Sequence, residues 1–403
     1  MGGSARSAAP DSATLAKLIY TVTLKGSETI TAGPTEPGRH TISINAPVGR
    51  YTITVTAWLD GEKYAEGTNT VNIEAGKTAS VSIKMTVDGG IVIVDAGEKP
   101  GNGDDGSSGG SGDGVVVNVT SWTAITNSTF GNSQIYSIAY GGGKFVAGNE
   151  SGKMAYSSDG ITWTAVGDSK FGNTIIERIA YGGGKFVAVG SGGEMAYSSD
   201  GITWTAAVST TFNSYIDGIA YGDGKFVAGG DSGKMAYSLD GINWTAITDS
   251  KFDTTRIASI AYGGGKFVAG GDSGKMAYSS DGITWTAVGD SKFGNEWIVG
   301  IAYGGGKFVA GGDSGKMAYS SDGINWTAIT DSKFGITDIS TIAYGDGKFV
   351  AGGDSGKMAY SLDGINWTAI TDSKFGNEFI LNIAYGGGKF IAVGNSGKMA
   401  YSN

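Results

Sequence analysis

The stretch IAYGGGKFVAGGDSGKMAYSSDGITWTAVGDSKFG, residues 260–294, holds four short runs of β-forming residues: IAY, KFVAG, KMAYS and ITWTAV. The turn sequences GGG, GDSG and SSDG separate them, each rich in residues that accept a positive φ or bond their own backbone. The unit recurs along the chain. Tryptophans stand at Trp122, Trp163, Trp204, Trp244, Trp285, Trp326 and Trp367, at intervals of 40 or 41 residues. A period near forty with four strand signals per unit predicts the blades of a β-propeller rather than a helical solenoid.

The ends of the repeat array predict how the ring closes. The last copy stops at GKMAYSN, after its third strand, while the first copy begins with an orphan fourth strand, VVVNVTSWTAI, residues 115–125. Pairing 115–125 beside 399–402 completes a seventh blade and hides the last open sheet edge. The region 115–403 is therefore expected to form a seven-bladed propeller of four-stranded blades.

Composition agrees with an all-β chain. Among 403 residues there are 72 glycines and five prolines, and glycine is costly inside a helix but useful where the backbone turns sharply. Residues 14–96 read as short alternating strands, among them LIYTVTLKG, HTISINAP and TASVSIKMTV, which predict a small β-sandwich. Residues 97–114, GEKPGNGDDGSSGGSGDG, carry too little apolar surface to fold and read as a flexible tether. Residues 1–13 read as a disordered N-terminal segment.

The formal charge of −9 argues against nucleic acid, whose recognition needs clustered Lys and Arg. The lysines recur singly in GGGKF and SGKMAY and suit the solubilising of strand edges. Cysteine is absent, which removes disulfides, thiolate metal sites and cysteine nucleophiles. The sole histidine, His40, stands in the N-terminal module, so neither a histidine triad nor a multi-histidine metal site fits the propeller. No run is long and apolar enough to span a membrane. The small polar residues after MGGSAR suit the mature end of an exported protein, so an extracellular or cell-surface location is expected, with the native signal replaced.

The turn SSDGITW, with Ser157, Asp159, Gly160 and Trp163 in its first copy, recurs at Ser198/Asp200/Trp204, Ser238/Asp240/Trp244, Ser279/Asp281/Trp285, Ser320/Asp322/Trp326 and Ser361/Asp363/Trp367. It resembles the Asp-box, or BNR, repeat of sialidase-like propellers, shortened by one residue. That resemblance implies a structural hairpin between third and fourth strands, away from any active centre. Sialidase activity does not carry over, because such enzymes grip the substrate carboxylate with three arginines and this propeller has only Arg178 and Arg256. The stretch 49–85 resembles the immunoglobulin-like or prealbumin-like modules that precede binding or catalytic domains in bacterial surface proteins. Asp231, Asp272, Asp313 and Asp354 read as turn formers, with calcium ligation as the alternative. The repeated methionines, such as Met154 and Met276, read as core fillers.

The copies disagree in one place. Aligned on Ile135, Ile176, Ile216, Ile257, Ile298, Ile339 and Ile380, the preceding position holds Gln134, Ile175, Tyr215, Arg256, Trp297, Asp338 and Phe379. The next two columns also vary, through Tyr136, Glu177 and Asp217 in one and Arg178 in the other. Drift would scatter differences over all exposed positions. Their concentration signals either a diversified binding surface or locally relaxed constraint, and the mixture of aromatic and charged residues favours binding. Gln134, Tyr136, Glu177, Arg178, Tyr215, Asp217, Arg256, Trp297, Asp338 and Phe379 are thus expected to form a ring around the channel mouth. That ring predicts a non-enzymatic monomer that binds a protein or glycan without cofactor, metal or membrane insertion. A hydrolase using paired carboxylates and a purely structural spacer are the alternatives.

Overall fold

A computed structural model describes residues 19–25, 29–32, 41–45, 49–59, 62–73, 79–80, 83–87, 90–94, 114–118, 122–207 and 211–402. The chain divides into two compact units, Met1–Ser121 and Trp122–Ser402.

The described part of the first unit is two sheets. One has six strands in the order Thr29–Ala32, Ile19–Lys25, Gly49–Leu59, Glu62–Ile73, Ile83–Val87 and Gly90–Val94. Its alternation is the expected one: Tyr20, Val22 and Leu24, with Tyr51, Ile53, Val55 and Ala57, are all buried, as a sheet with one covered face requires. The other sheet pairs Gly114–Asn118 with Thr41–Asn45 and, in parallel, with Ala79–Ser80. His40, residues 1–13 and the proposed tether, apart from Gly114, lie outside the described residues.

The second unit is a seven-bladed propeller. Blades 1 to 6 are successive four-stranded antiparallel sheets, and their first strands begin at Ile135, Ile176, Ile216, Ile257, Ile298 and Ile339. Blade 7 takes three strands from residues 380–402 and its fourth from Trp122–Ile125. Trp122 pairs with Ser402 and Ile125 with Met399. The expected closure therefore forms, but with a shorter strand: Val115–Asn118 belongs to the first unit, not to blade 7. A run of valines is equally suited to any sheet, and here it finds its partner in Thr41–Asn45.

The propeller core lies between blades. Blade 4 supplies Ala261, Val268 and Met276 to a buried cluster in which blade 5 contributes Ile298, Ile301, Phe308 and Trp326. The same arrangement closes the ring, where Ile391, Val393, Met399 and Tyr401 of blade 7 pack on Ile135, Phe145 and Trp163 of blade 1. The repeated methionines and the repeat tryptophans are buried in every copy.

Each SSDG-type turn is tied by its own side chains. In blade 4 the Ser279 hydroxyl donates to Asp281 Oδ1 at 2.9 Å, and Gly282 N–H donates to Ser279 Oγ at 2.8 Å. The amides of Ile283 and Thr284 also donate to Asp281 Oδ1, at 2.8 and 2.7 Å. Partial burial opposes ionisation of Asp281, yet these hydrogen bonds hold its carboxyl down at about 2. The aspartates of these turns are satisfied within the hairpin, which assigns them to structure.

Candidate binding site at the mouth of the ring

Each first strand starts with a β-bulge. In blade 5, Ile298 pairs with Gly312 and Gly300 with Gly311, so Val299 is the extra residue; the same shift follows Ile135, Ile176, Ile216, Ile257, Ile339 and Ile380. A bulge interrupts the ladder and re-aims side chains. The three variable columns are thus the residue before the paired isoleucine, the bulge residue and the residue after the bulge.

The first column stands on a fixed backbone. The carbonyls of Gln134, Ile175, Tyr215, Arg256, Trp297, Asp338 and Phe379 each accept a hydrogen bond from the turn joining strands two and three, at 3.0–3.1 Å. In six blades a glycine makes this approach possible. A Cβ added to Gly312 would sit 1.8 Å from the Trp297 carbonyl oxygen, and one added to Gly271 would sit 1.9 Å from that of Arg256. Seven backbones are held alike while seven side chains differ. Tyr215, Trp297 and Phe379 are 42, 44 and 41 % exposed, and they occupy alternate blades 3, 5 and 7. The polar residues between them are engaged: Asp338 Oδ1 accepts the Ser314 amide at 2.7 Å, and Arg256 grips Asp217 through Nε at 2.9 Å and Nη2 at 2.6 Å.

The bulge column is more buried than expected. Glu177 and Asp217, expected in a ring around the channel mouth, are both buried. Burial pushes the Glu177 carboxyl up, against the pull of Arg178. Tyr136 is half-buried, and burial together with Glu177 raises its hydroxyl. Asp217 is the anchor for Arg256 rather than a free contact.

The third column lines the axis. Ser137, Arg178, Gly218, Ser259, Gly300, Thr341 and Asn382 surround a cavity of about 140 Å³ together with six of the isoleucines that follow them. Val299 and Ser340, bulge residues of blades 5 and 6, also line it, which puts the cavity at the bulged end of the first strands. Arg178 therefore belongs to the axis, not to the outer rim. Ser137, Ser259, Thr341 and Asn382 were not singled out as site residues from sequence, although their column holds only hydrogen-bonding side chains and glycine. Ile336 was missed as well. It is 90 % exposed in a position where the other copies carry Asn or Thr.

The strand-two-to-three turns border the same face. Asp272 and Asp313 are pushed up chiefly by burial, and Asp231 accepts the Ser214 hydroxyl at 2.6 Å. Among the described residues no group of three or more acidic or histidine side chains is arranged to hold a metal ion.

A family model described as the DUF6242 beta propeller domain matches residues 107–215. No curated protein sequence matches the chain. Among solved structures the chain is similar to YCF48 from Cyanidioschyzon merolae, at 18 % identity and a TM-score of 0.56, over 70 % of this chain and 98 % of that one. It is similar to a structure described as YCF48 bound to D1 peptide, at 17 % identity and a TM-score of 0.54, over 70 % of this chain and 96 % of that one. Virginiamycin B lyase from Staphylococcus aureus matches at 11 % identity and a TM-score of 0.56, over 70 % of this chain and 98 % of that one. At such identities the likeness is one of fold, and with the family match it sets this ring among the β-propellers.

Proposed function

We propose that the propeller is a non-enzymatic recognition module that binds a protein through the bulged face of its ring. The observation that carries this reading is the first variable column: one repeated backbone geometry presents seven different side chains, and three of them are aromatic and exposed. Exposed aromatics on a rigid frame are the usual anchors of protein interfaces. The engagement of Asp217 by Arg256 removes one carboxylate from any catalytic pair and weighs against the hydrolase reading. A similar propeller solved with a peptide supports a protein as the occupant.

The test is an array of proteins and glycans probed with the intact chain, with a Tyr215→Ala/Trp297→Ala/Phe379→Ala variant, and with a Leu239→Ser/Leu362→Ser variant. Leu239 and Leu362 are exposed on the SxDG turns at the other ends of the blades. Saturable binding to a protein, weakened about 30-fold or more by loss of the aromatics and unchanged by the leucine variant, is expected, with unfolding midpoints alike. Protein binding indifferent to the aromatics, or aromatic-dependent binding to glycans alone, would overturn the reading.

A further inference from the structure

The axial cavity sets hydroxyl, amide and guanidinium side chains among isoleucines of the first strands. The Ser137 Oγ accepts the amide of Ile179 at 2.8 Å, Ser259 Oγ that of Ile301 at 3.1 Å, and Thr341 Oγ1 that of Ile383 at 3.2 Å. Each hydroxyl is thereby used as an acceptor by the next blade, and its own O–H remains to be given away. Asn382 does the same. Its Oδ1 accepts the amide of Ile138 at 3.4 Å, so its NH₂ group is the part left for the cavity.

Three blades break this chain of latches. The residues before Ile219, Ile260 and Ile342 in the ring are Arg178, Gly218 and Gly300, which offer no side-chain acceptor. The amide nitrogens of Ile260 and Ile342 lie 3.3 and 3.1 Å from where a Cβ on Gly218 or Gly300 would stand. Those N–H groups face the space that a serine fills elsewhere. Arg178 adds a guanidinium. Among the described residues its one hydrogen bond runs from Nη1 to the Glu177 carbonyl at 2.7 Å, which leaves the rest of its five N–H donors. No aspartate or glutamate lines the cavity; the Glu177 and Asp217 carboxylates act on Arg178 from outside that lining, and Asp217 is held by Arg256.

We infer that this cavity is a binding site for a carboxylate, held by Arg178, by the hydroxyls of Ser137, Ser259 and Thr341, and by the free amides between blades. Converging donors around one cation are the arrangement that recognises an anionic oxygen pair. The volume of about 140 Å³ admits a carboxylate with a short stem, and excludes a folded element. The inference deepens the proposed function by giving the partner an acidic tip that enters the axis while the aromatics hold its body, and it rests on that reading only for the source of the carboxylate.

Three probes test it: sodium acetate, acetyl-triglycine with a free C-terminal carboxylate, and the same peptide as its C-terminal amide. Nitrogen-15 NMR of the intact chain reads the Arg178 Nε–H signal, assigned by its loss in Arg178→Lys, and the backbone amides of Ile260 and Ile342. Saturable shifts of these signals by acetate or the peptide acid, and not by the amide, are expected. Arg178→Met should weaken that binding about 10-fold or more, read on the two isoleucine amides; Arg178→Lys should weaken it less and serves alone should the methionine variant misfold. A peptide acid that binds more tightly than acetate identifies a chain terminus as the source, and the reverse order identifies a small free acid. Absence of saturable shifts with both carboxylates, an equal response to the amide, or undiminished binding in Arg178→Met overturns the inference. Because these probes do not touch the aromatic rim, carboxylate binding that persists while the aromatics prove irrelevant would defeat the face reading alone.

Discussion

The two ends of each blade solve opposite problems with the same chain. At the SxDG end, Ser279, Asp281 and Gly282 close their hairpin with bonds that stay inside it, and the copies scarcely differ. At the bulged end the backbone is held just as firmly, by the Trp297 carbonyl and its counterparts, but the side chains are freed from that work. A repeat protein can vary chemistry where the main chain carries the geometry, and cannot where side chains do.

The largest break in that contrast is expected from paired tryptophan changes. Trp326 is buried between blades 4 and 5, so Trp326→Ala should cost about 3–5 kcal/mol, read as a lowered guanidinium midpoint. Trp297→Ala removes the same side chain from the bulged end, where it is 44 % exposed, and should stay within about 0.5 kcal/mol. Comparable losses at both sites would mean that the rim aromatics pack after all.

A middle-sized effect probes a place where the variable end does use side chains structurally. Arg256→Ala leaves the buried Asp217 carboxylate without its partner, a change expected to cost about 2–3 kcal/mol given that Arg256 itself is partly exposed. The double change to alanine at both positions should recover part of this, with a coupling of about 1–3 kcal/mol in the cycle. A coupling near zero would return Arg256 to the recognition surface and make the two ends more alike in principle.

How much of this was legible in the sequence follows from the same contrast. The tryptophan interval and the turn chemistry announce the blades, because local turns are written locally. Closure was legible as a need for a missing strand, but not its start: VVVNV at 115–119 has the pattern of any buried strand, and only the register with Thr41–Asn45 assigns it to the first unit. The variable columns were visible as disagreement between Trp297, Phe379 and their equivalents. What was not visible is that a bulge divides them, leaving Trp297 exposed, Asp217 buried against Arg256 and Arg178 at the axis. A bulge depends on pairing with Gly312 and Gly311, and that pairing leaves no mark on the varying residues themselves.

The smallest expected effect is also the sharpest, because the two ends should respond to acid with opposite sign. Asp159 and Asp281 are held at about 2 in the fold, below the ordinary aspartate value of about 3.9. Their hydrogen bonds stabilise the ring fully above the ordinary value, and that contribution disappears as pH falls through the folded value. Asp272 and Asp313, at the bulged end, are raised chiefly by burial, and Asp272 Oδ1 is buried without a hydrogen-bond partner. Their ionised forms weaken the fold, so the penalty they impose is relieved as pH falls through their raised values toward the ordinary one. Unfolding midpoints measured from neutrality down to about pH 2 should therefore show a small rise before the acid decline. Asp272→Asn should raise the neutral midpoint and flatten the first limb, while Asp281→Asn should cost under about 1 kcal/mol at neutrality and flatten the second. Identical limbs in both variants would show that the carboxylates at the two ends are held in the same way, and the division between a self-satisfied hairpin and a turn that buries an unpaired carboxylate oxygen would fall with it.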